Sequence, residues 1–218
     1  TVVGSLCYKP IFASGASTVS PLFRMLDAFR GTLILDESDF RFSDEKAEIV
    51  KILNNGFSRG FPVLRTEVTS QREFNPQAYA VYGPKIIATR SAFQDVALES
   101  RCLTEEMGQG RMRADIPITL PRTFDDEALA LRNQLLMFRF RTWARQGQDS
   151  IALDAGIEPR LRQILEPLLS VNQDASARAR IVDFCVRLHR QVVTDRGMEV
   201  EARVLEVIRE LLGTGREQ

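Results

Sequence analysis

Residues 32–40 read Thr-Leu-Ile-Leu-Asp-Glu-Ser-Asp-Phe. Leu33, Ile34 and Leu35 form an unbroken apolar run, not an alternating one, which is the pattern of a parallel strand buried on both faces. The run stops at two adjacent carboxylates, Asp36 and Glu37. A buried parallel strand therefore delivers two acids to its carboxyl end, the edge at which open α/β sheets bind ligands. Such a pair either serves a cation, with a metal as the natural partner, or forms a solvated acidic turn after a core strand.

Working outward from this strand, the chain alternates between two periods. Upstream, residues 2–13 predict a strand interrupted at Lys9 and Pro10, and Ser14, Gly15, Ser17 and Thr18 supply turn and capping chemistry. Val19, Leu22, Phe23, Leu26 and Phe29 recur at helical spacing, with Gly31 placed as the left-handed C-cap residue. Downstream, Ser43, Asp44 and Glu45 make an acidic first turn, and Ala47, Val50, Leu53 and Phe57 carry a helix to about Ser58. Strand, helix, strand, helix is the α/β pattern.

Phe61–Val68 and Ala78–Tyr82 predict a hairpin with Arg72 near its tip. A second buried strand is expected at residues 85–89, ending in Thr89-Arg90. A short helix from Phe93 to Leu98 leads into Glu99-Ser-Arg-Cys-Leu103, and a last strand is expected at Ile116–Leu120. From Thr123 onward only helices are predicted. Leu129, Leu135, Leu136, Phe138 and Trp143 mark one; Leu161, Ile164, Leu165, Leu168 and Leu169 mark another, with Pro159 in its first turn and Pro167 a kink site. Two more are expected at about Ser176–Val193 and Met198–Leu212. The boundary falls near residue 122, dividing a core at 1–122 from a helical domain at 123–218.

At 218 residues, 44% hydrophobic and 27% charged, the composition is that of an ordinary globular chain with a sizeable core. No stretch approaches the roughly 20 apolar residues of a membrane span, so no membrane partner is expected. Lys+Arg 29 against Asp+Glu 29 gives no global field toward nucleic acid. Cys7, Cys102 and Cys185 stand far apart without a C-x-x-C spacing, which predicts reduced thiols in a cytoplasmic protein and no zinc site. The single histidine, His189, lies between helical arginines with no nucleophile motif near it, which argues against Ser-His-Asp and Cys-His chemistry. The start at Thr1, with no methionine, suggests a fragment of something larger.

The Leu-Ile-Leu-Asp-Glu string resembles the Walker B motif of P-loop ATPases. The wider order of acidic strand, helix, hairpin, strand ending in Thr89 and then Ser100-Arg101-Cys102 resembles the second half of an AAA+ type ATPase core followed by its helical lid. More closely, GTLILDESDFRFSDEKAEIVKILNNGFSRGFPVLR and YGPKIIATRSAFQDVALESRCLT resemble the ATPase region of phage- and plasmid-type primase-helicase proteins of bacteria. The resemblance implies a partial P-loop fold that uses ATP and Mg²⁺. Asp36 would help hold the metal, Glu37 would orient the attacking water, and Thr89 would be a polar sensor of the γ-phosphate. Arg101 would be a finger reaching into the neighbouring subunit's site, and Arg160, with Arg162 as its rival, a second sensor on the lid. The implied protein is a DNA-acting, helicase-like motor working as a homo-oligomeric ring, a hexamer by preference.

Two features complicate that picture. The phosphate loop G-x-x-x-x-G-K-[ST] needs a Gly-Lys pair, and none of Lys9, Lys46, Lys51 and Lys85 follows a glycine. The loop is therefore expected upstream of Thr1, and this chain alone is expected to be inactive. Arg101 also has an ordinary reading, as a surface partner of Glu99 or Glu105. For nucleic acid, Arg72 and Arg65, with Arg59, are the candidate contacts on the hairpin. The alternative from a different class is a non-catalytic, ATPase-like module for assembly or nucleic-acid binding.

Overall fold

A computed structural model describes residues 2–14, 18–38, 44–68, 74–90, 93, 95–105, 107, 115–145, 157–198, 203–205 and 207–209. The chain forms two compact units, Thr1–Ala144 and Arg145–Gln218.

The first unit is mixed α/β. Its centre is β2 (Thr32–Ser38), flanked by β1 (Pro10–Ser14) and β5 (Lys85–Thr89), all three parallel and in the order β1-β2-β5. Leu33 and Leu35 are 0% and 1% exposed on one face and Ile34 is buried on the other, as the unbroken apolar run predicts. The helices α2 (Val19–Phe29) and α3 (Asp44–Asn55) bury Leu22, Phe23, Leu26, Ile49, Ile52 and Leu53 in the same cluster as Ile11, Leu33 and Leu35. The second face carries the cross-strand row Phe12, Ile34 and Ile86. A short helix, α1 (Val2–Leu6), approaches it so closely that a Cβ on Gly4 would lie 2.5 Å from Phe12 and 3.1 Å from Ile34. The long helix α5 (Phe124–Thr142) packs on α1, and Arg132 Nη1 donates to the Ser5 carbonyl at 3.2 Å. The division between the two compact units falls after α5.

A two-stranded antiparallel hairpin, β3 (Val63–Val68) and β4 (Phe74–Tyr79), is held against α2 and α3 by side chains. Arg24 pairs with Glu67 at 2.6 Å, Arg65 takes both Glu48 oxygens at 3.1 and 3.2 Å, and the Ala80 N–H donates to Asp27 at 3.0 Å. Tyr79 also donates to Glu67 and packs against Phe23 in a tilted pair, the ring centroids 4.7 Å apart. The Tyr79 hydroxyl, and after it Arg24, holds the Glu67 carboxyl below its ordinary range.

Several expectations are corrected. Val2–Leu6 is helical, not extended; Lys9, at φ 45°, reverses the chain before Pro10 starts the strand. The left-handed cap of α2 is Arg30 (φ 48°, ψ 41°), whose N–H bonds Leu26. Gly31 is required for a different reason, since a Cβ there would lie 1.9 Å from the Lys9 carbonyl oxygen. Helix α3 ends at Asn55, short of Ser58. Strand β4 runs through Pro76, which is tolerated because β4 pairs only with β3 among the described residues. Strand β5 is not buried: Ile86 is 39% exposed. The expected helix at 93–98 is only Val96–Glu99, α4, capped by Asp95, which accepts from the Leu98 N–H at 2.8 Å. Ile116–Leu120 is a bent, irregular segment and not a strand, with Ile118 almost fully exposed.

The second unit contains α6 (Pro159–Val171) and α7 (Ala175–Met198), packed through Ile157, Leu161, Leu165, Leu169 and Cys185. Arg178 donates to the Leu169 and Asn172 carbonyls at 3.2 Å, placing a cation on the carboxyl end of α6. Asp174 accepts from the Ala177 N–H at 2.6 Å and caps α7. Residues 203–205 and 207–209 are helical, within the stretch predicted as the last helix.

Among the described residues no helix is long and apolar enough to cross a membrane.

Candidate functional site at the carboxyl edge of the sheet

The parallel register gathers three strand ends at one edge. Ser14 of β1 pairs in register with Asp36, and Thr89 of β5 pairs with Ser38. Asp36 is half-buried and Thr89 exposed. For Glu37 the structure describes the backbone alone.

The acidic pair sits on an irregularity. Leu35 pairs with Ile87 and Ser38 with Thr89, so Asp36 and Glu37 together face the single residue Ala88. Two residues opposite one make a bulge-like irregularity of the ladder, which breaks the strict alternation of faces. Bulges recur beside active sites for that reason. Nothing in the sequence signals it, because a bulge depends on the partner strand.

One carboxylate at a strand edge with a second in the adjoining position suits Mg²⁺, which takes one or two protein carboxylates and leaves its other positions to water and phosphate oxygens. Among the described residues no group of three or more His, Cys, Asp and Glu forms a metal cage by itself.

The other assigned residues lie elsewhere. Arg101 follows α4; it donates to the Ala97 carbonyl and its guanidinium stands 5.9 Å from the Phe57 ring. Glu99, one of its expected surface partners, instead accepts from the Phe93 N–H and the Thr104 hydroxyl. The neighbouring Cys102 and Phe57 border Lys85 and Gly56, at the amino end of β5, so Arg101 belongs to the opposite edge of the sheet from Asp36. Arg162 Nε donates to the Ile157 carbonyl at 2.8 Å, within the second unit, and Arg160 is exposed at the start of α6. Arg65 is engaged by Glu48 and lies 5.3 Å from the Phe23 ring centroid, which makes it a clamp of the hairpin. Arg72 lies outside the described residues.

At the amino edge, Lys85 is held under the sheet, where its ammonium donates to the Gly56, Val81 and Gly83 carbonyls at 3.0, 3.0 and 2.9 Å. Burial pushes it down to about 8, while burial, and then Glu99, push the adjacent Cys102 thiol up to about 11. Beside it opens a cleft lined by Tyr8, Arg30, Arg59, Tyr82 and Arg139. Of these the sequence singled out only Arg59. The available signal was Arg139 and Trp143, an arginine and an aromatic four residues apart on one helix face.

Comparison with protein-family models, curated proteins and solved structures finds no match for this chain.

Proposed function

We propose that the chain is the acidic-strand half of an AAA+ type P-loop ATPase core with a helical lid, acting in an ATP-dependent, DNA-acting motor of helicase type. The observation that supports this most is the register at the carboxyl edge. Asp36 and Glu37 lie on a bulge in the central strand, and the polar end of the adjacent parallel strand, Thr89, stands beside them. Among the described residues β5 pairs along one edge only, which leaves a template for a further strand such as one leading into a phosphate loop.

In this reading Asp36 holds Mg²⁺, whose charge offsets that of the phosphates. Glu37 orients a water, and Thr89 hydrogen-bonds the γ-phosphate or that water. Arg101, at the opposite edge, acts in the next subunit of a homo-oligomeric ring. Arg160 or Arg162 supplies a further cation from the lid.

The test is ATP hydrolysis by the full-length protein. Glu37→Gln should lower kcat by at least about 10²-fold, and intact hydrolysis would remove Glu37 from its role. Arg101→Ala subunits mixed with wild type should depress activity more than in proportion, because a finger acting in trans contributes on the order of 10³ to 10⁵ in rate. Strictly additive mixing would remove the trans role.

A further inference from the structure

The cleft at the amino edge is a built feature. It has a volume of about 530 Å³, and Gly31, Thr32, Gly60, Ala80 and Pro84 complete its lining. The Arg139 guanidinium lies over two rings, 4.3 Å from the centroid of Tyr8 and 5.0 Å from that of Trp143. Arg59 lies 5.2 Å from the centroid of Tyr82, and Lys9 Nζ lies 5.5 Å from that of Tyr8.

Stacking fixes a guanidinium on a ring and leaves its in-plane N–H donors to meet a ligand. Little side-chain entropy remains to be lost when a phosphate arrives. Among the described residues neither Arg59 nor Arg139 has an acidic partner. Arg30 lies 3.8 Å from Asp27, which also accepts from the Ala80 N–H. In a chain with no net charge, Arg30, Arg59 and Arg139 line one cleft with Lys9 beside its Tyr8, and with Asp27 at Arg30 as the one acid paired there among the described residues this is a local excess of positive charge.

The rings narrow the ligand class. Tyr8, Tyr82 and Trp143 are 43%, 46% and 62% exposed, so Arg59, Arg139 and Lys9 each lie beside a ring that still has free surface. Cations alternating with exposed aromatics match an anionic backbone bearing planar bases, where base stacking and phosphate pairing act together. The volume lies within the roughly 300–1,000 Å³ of ligand sites, and the open rings let a chain run through. We propose that this cleft binds single-stranded nucleic acid, with Arg59 and Arg139 on phosphates and Tyr8 and Tyr82 under bases. The site is independent of nucleotide hydrolysis at the far edge.

The experiment is fluorescence anisotropy of a labelled 15-nucleotide oligothymidylate with the chain, without ATP or Mg²⁺, at 50 and 200 mM salt. Wild type should bind, weakening as salt rises. Arg59→Gln with Arg139→Gln should cut the magnitude of the log–log salt slope by about 1.4, at about 0.7 per phosphate on single strands. Tyr82→Ala should lose at least about fivefold in affinity, whereas Tyr82→Phe, which keeps the ring, should bind as wild type. Circular dichroism of each variant separates lost contact from lost fold. No binding by wild type at 50 mM salt, an unchanged salt slope in the double variant, or Tyr82→Phe failing as badly as Tyr82→Ala would overturn the proposal. So would displacement of the oligonucleotide by inorganic phosphate or polyglutamate as readily as by unlabelled strand. Failure here with intact ATP hydrolysis in the full-length protein would leave the ATPase reading standing, and the reverse result would leave this one.

Discussion

Lys85 offers the sharpest test of the packing at the amino edge. Its ammonium joins the end of α3, the β4–β5 link and the first residue of β5 through the Gly56, Val81 and Gly83 carbonyls. Burial lowers it from an ordinary 10.5 to about 8, while the three carbonyl acceptors work in the opposite direction. Below about pH 8 the group is charged in both folded and unfolded chains, and the full cost of its burial is present. Between about 8 and 10.5 the folded chain has released the proton while the unfolded chain keeps it. The unfolded state then binds more protons, so stability rises with pH across that window and levels off above it. The whole shift corresponds to about 3 kcal/mol, of which about 2 kcal/mol falls between pH 7 and pH 9.5. Cys102 and Cys185 work against this: burial raises both thiols from 9.0 to about 11, so their contribution falls as pH rises through that range. Subtracting the urea-unfolding free energy of Lys85→Met from that of wild type, pH by pH, removes the Cys185 contribution and most of that of Cys102, on which Lys85 is the smallest of the influences. The difference should grow by about 2 kcal/mol in favour of wild type from pH 7 to pH 9.5. A flat or shrinking difference would refute the reasoning, because the carbonyls would then hold the ammonium more firmly than burial opposes it.

Gly31→Ala should destabilise the first unit by about 3 kcal/mol or more, since its Cβ would sit 1.9 Å from the Lys9 carbonyl and the neighbours are backbone. Gly60→Ala should cost only about 1–2 kcal/mol, from its φ of +87° with nothing within 4 Å; equal losses in urea unfolding would contradict the distinction. Leu165→Ala, at a fully buried position of α6, should lower stability by about 2–5 kcal/mol, read as faster amide exchange across α6 and α7. Protection unchanged along those helices would show that Leu165 is not central to their packing.

Much of the scaffold was legible because its elements carry unmixed periods. Leu33–Leu35 has no polar residue to suggest a solvated face, and it is buried on both. Val19, Leu22, Phe23 and Leu26 repeat at helical spacing and all four are buried. What failed to show were features decided by a distant partner. Val2 and Val3 favour a strand locally, but Gly4 lets a helix backbone settle on Phe12 and Ile34. Pro76 reads as a strand breaker until β4 is seen to have a single neighbour. The bulge under Asp36 and Glu37 exists only relative to Ala88, and the cleft brings together residues 8, 30, 59, 82 and 139, which share no spacing.

One strand joins the two candidate sites. Thr32 lies on the cleft and Asp36 at the acidic edge, four residues apart, or about 13 Å along β2. Leu33 and Leu35 lock that strand into the core, so it cannot slide by a fraction of a residue without moving both neighbours. Occupancy of the cleft would therefore reach Asp36 only by shifting the sheet as a block, or through the bulge, where the β2–β5 ladder is already irregular. If an oligonucleotide changes ATP turnover in the full-length protein, the bulge is the element whose geometry has room to change. Coupling should then appear as altered amide exchange at residues 36–38 while Leu33 and Leu35 stay protected. Coupling with uniform loss of protection along β2 would point instead to loosening of the whole sheet.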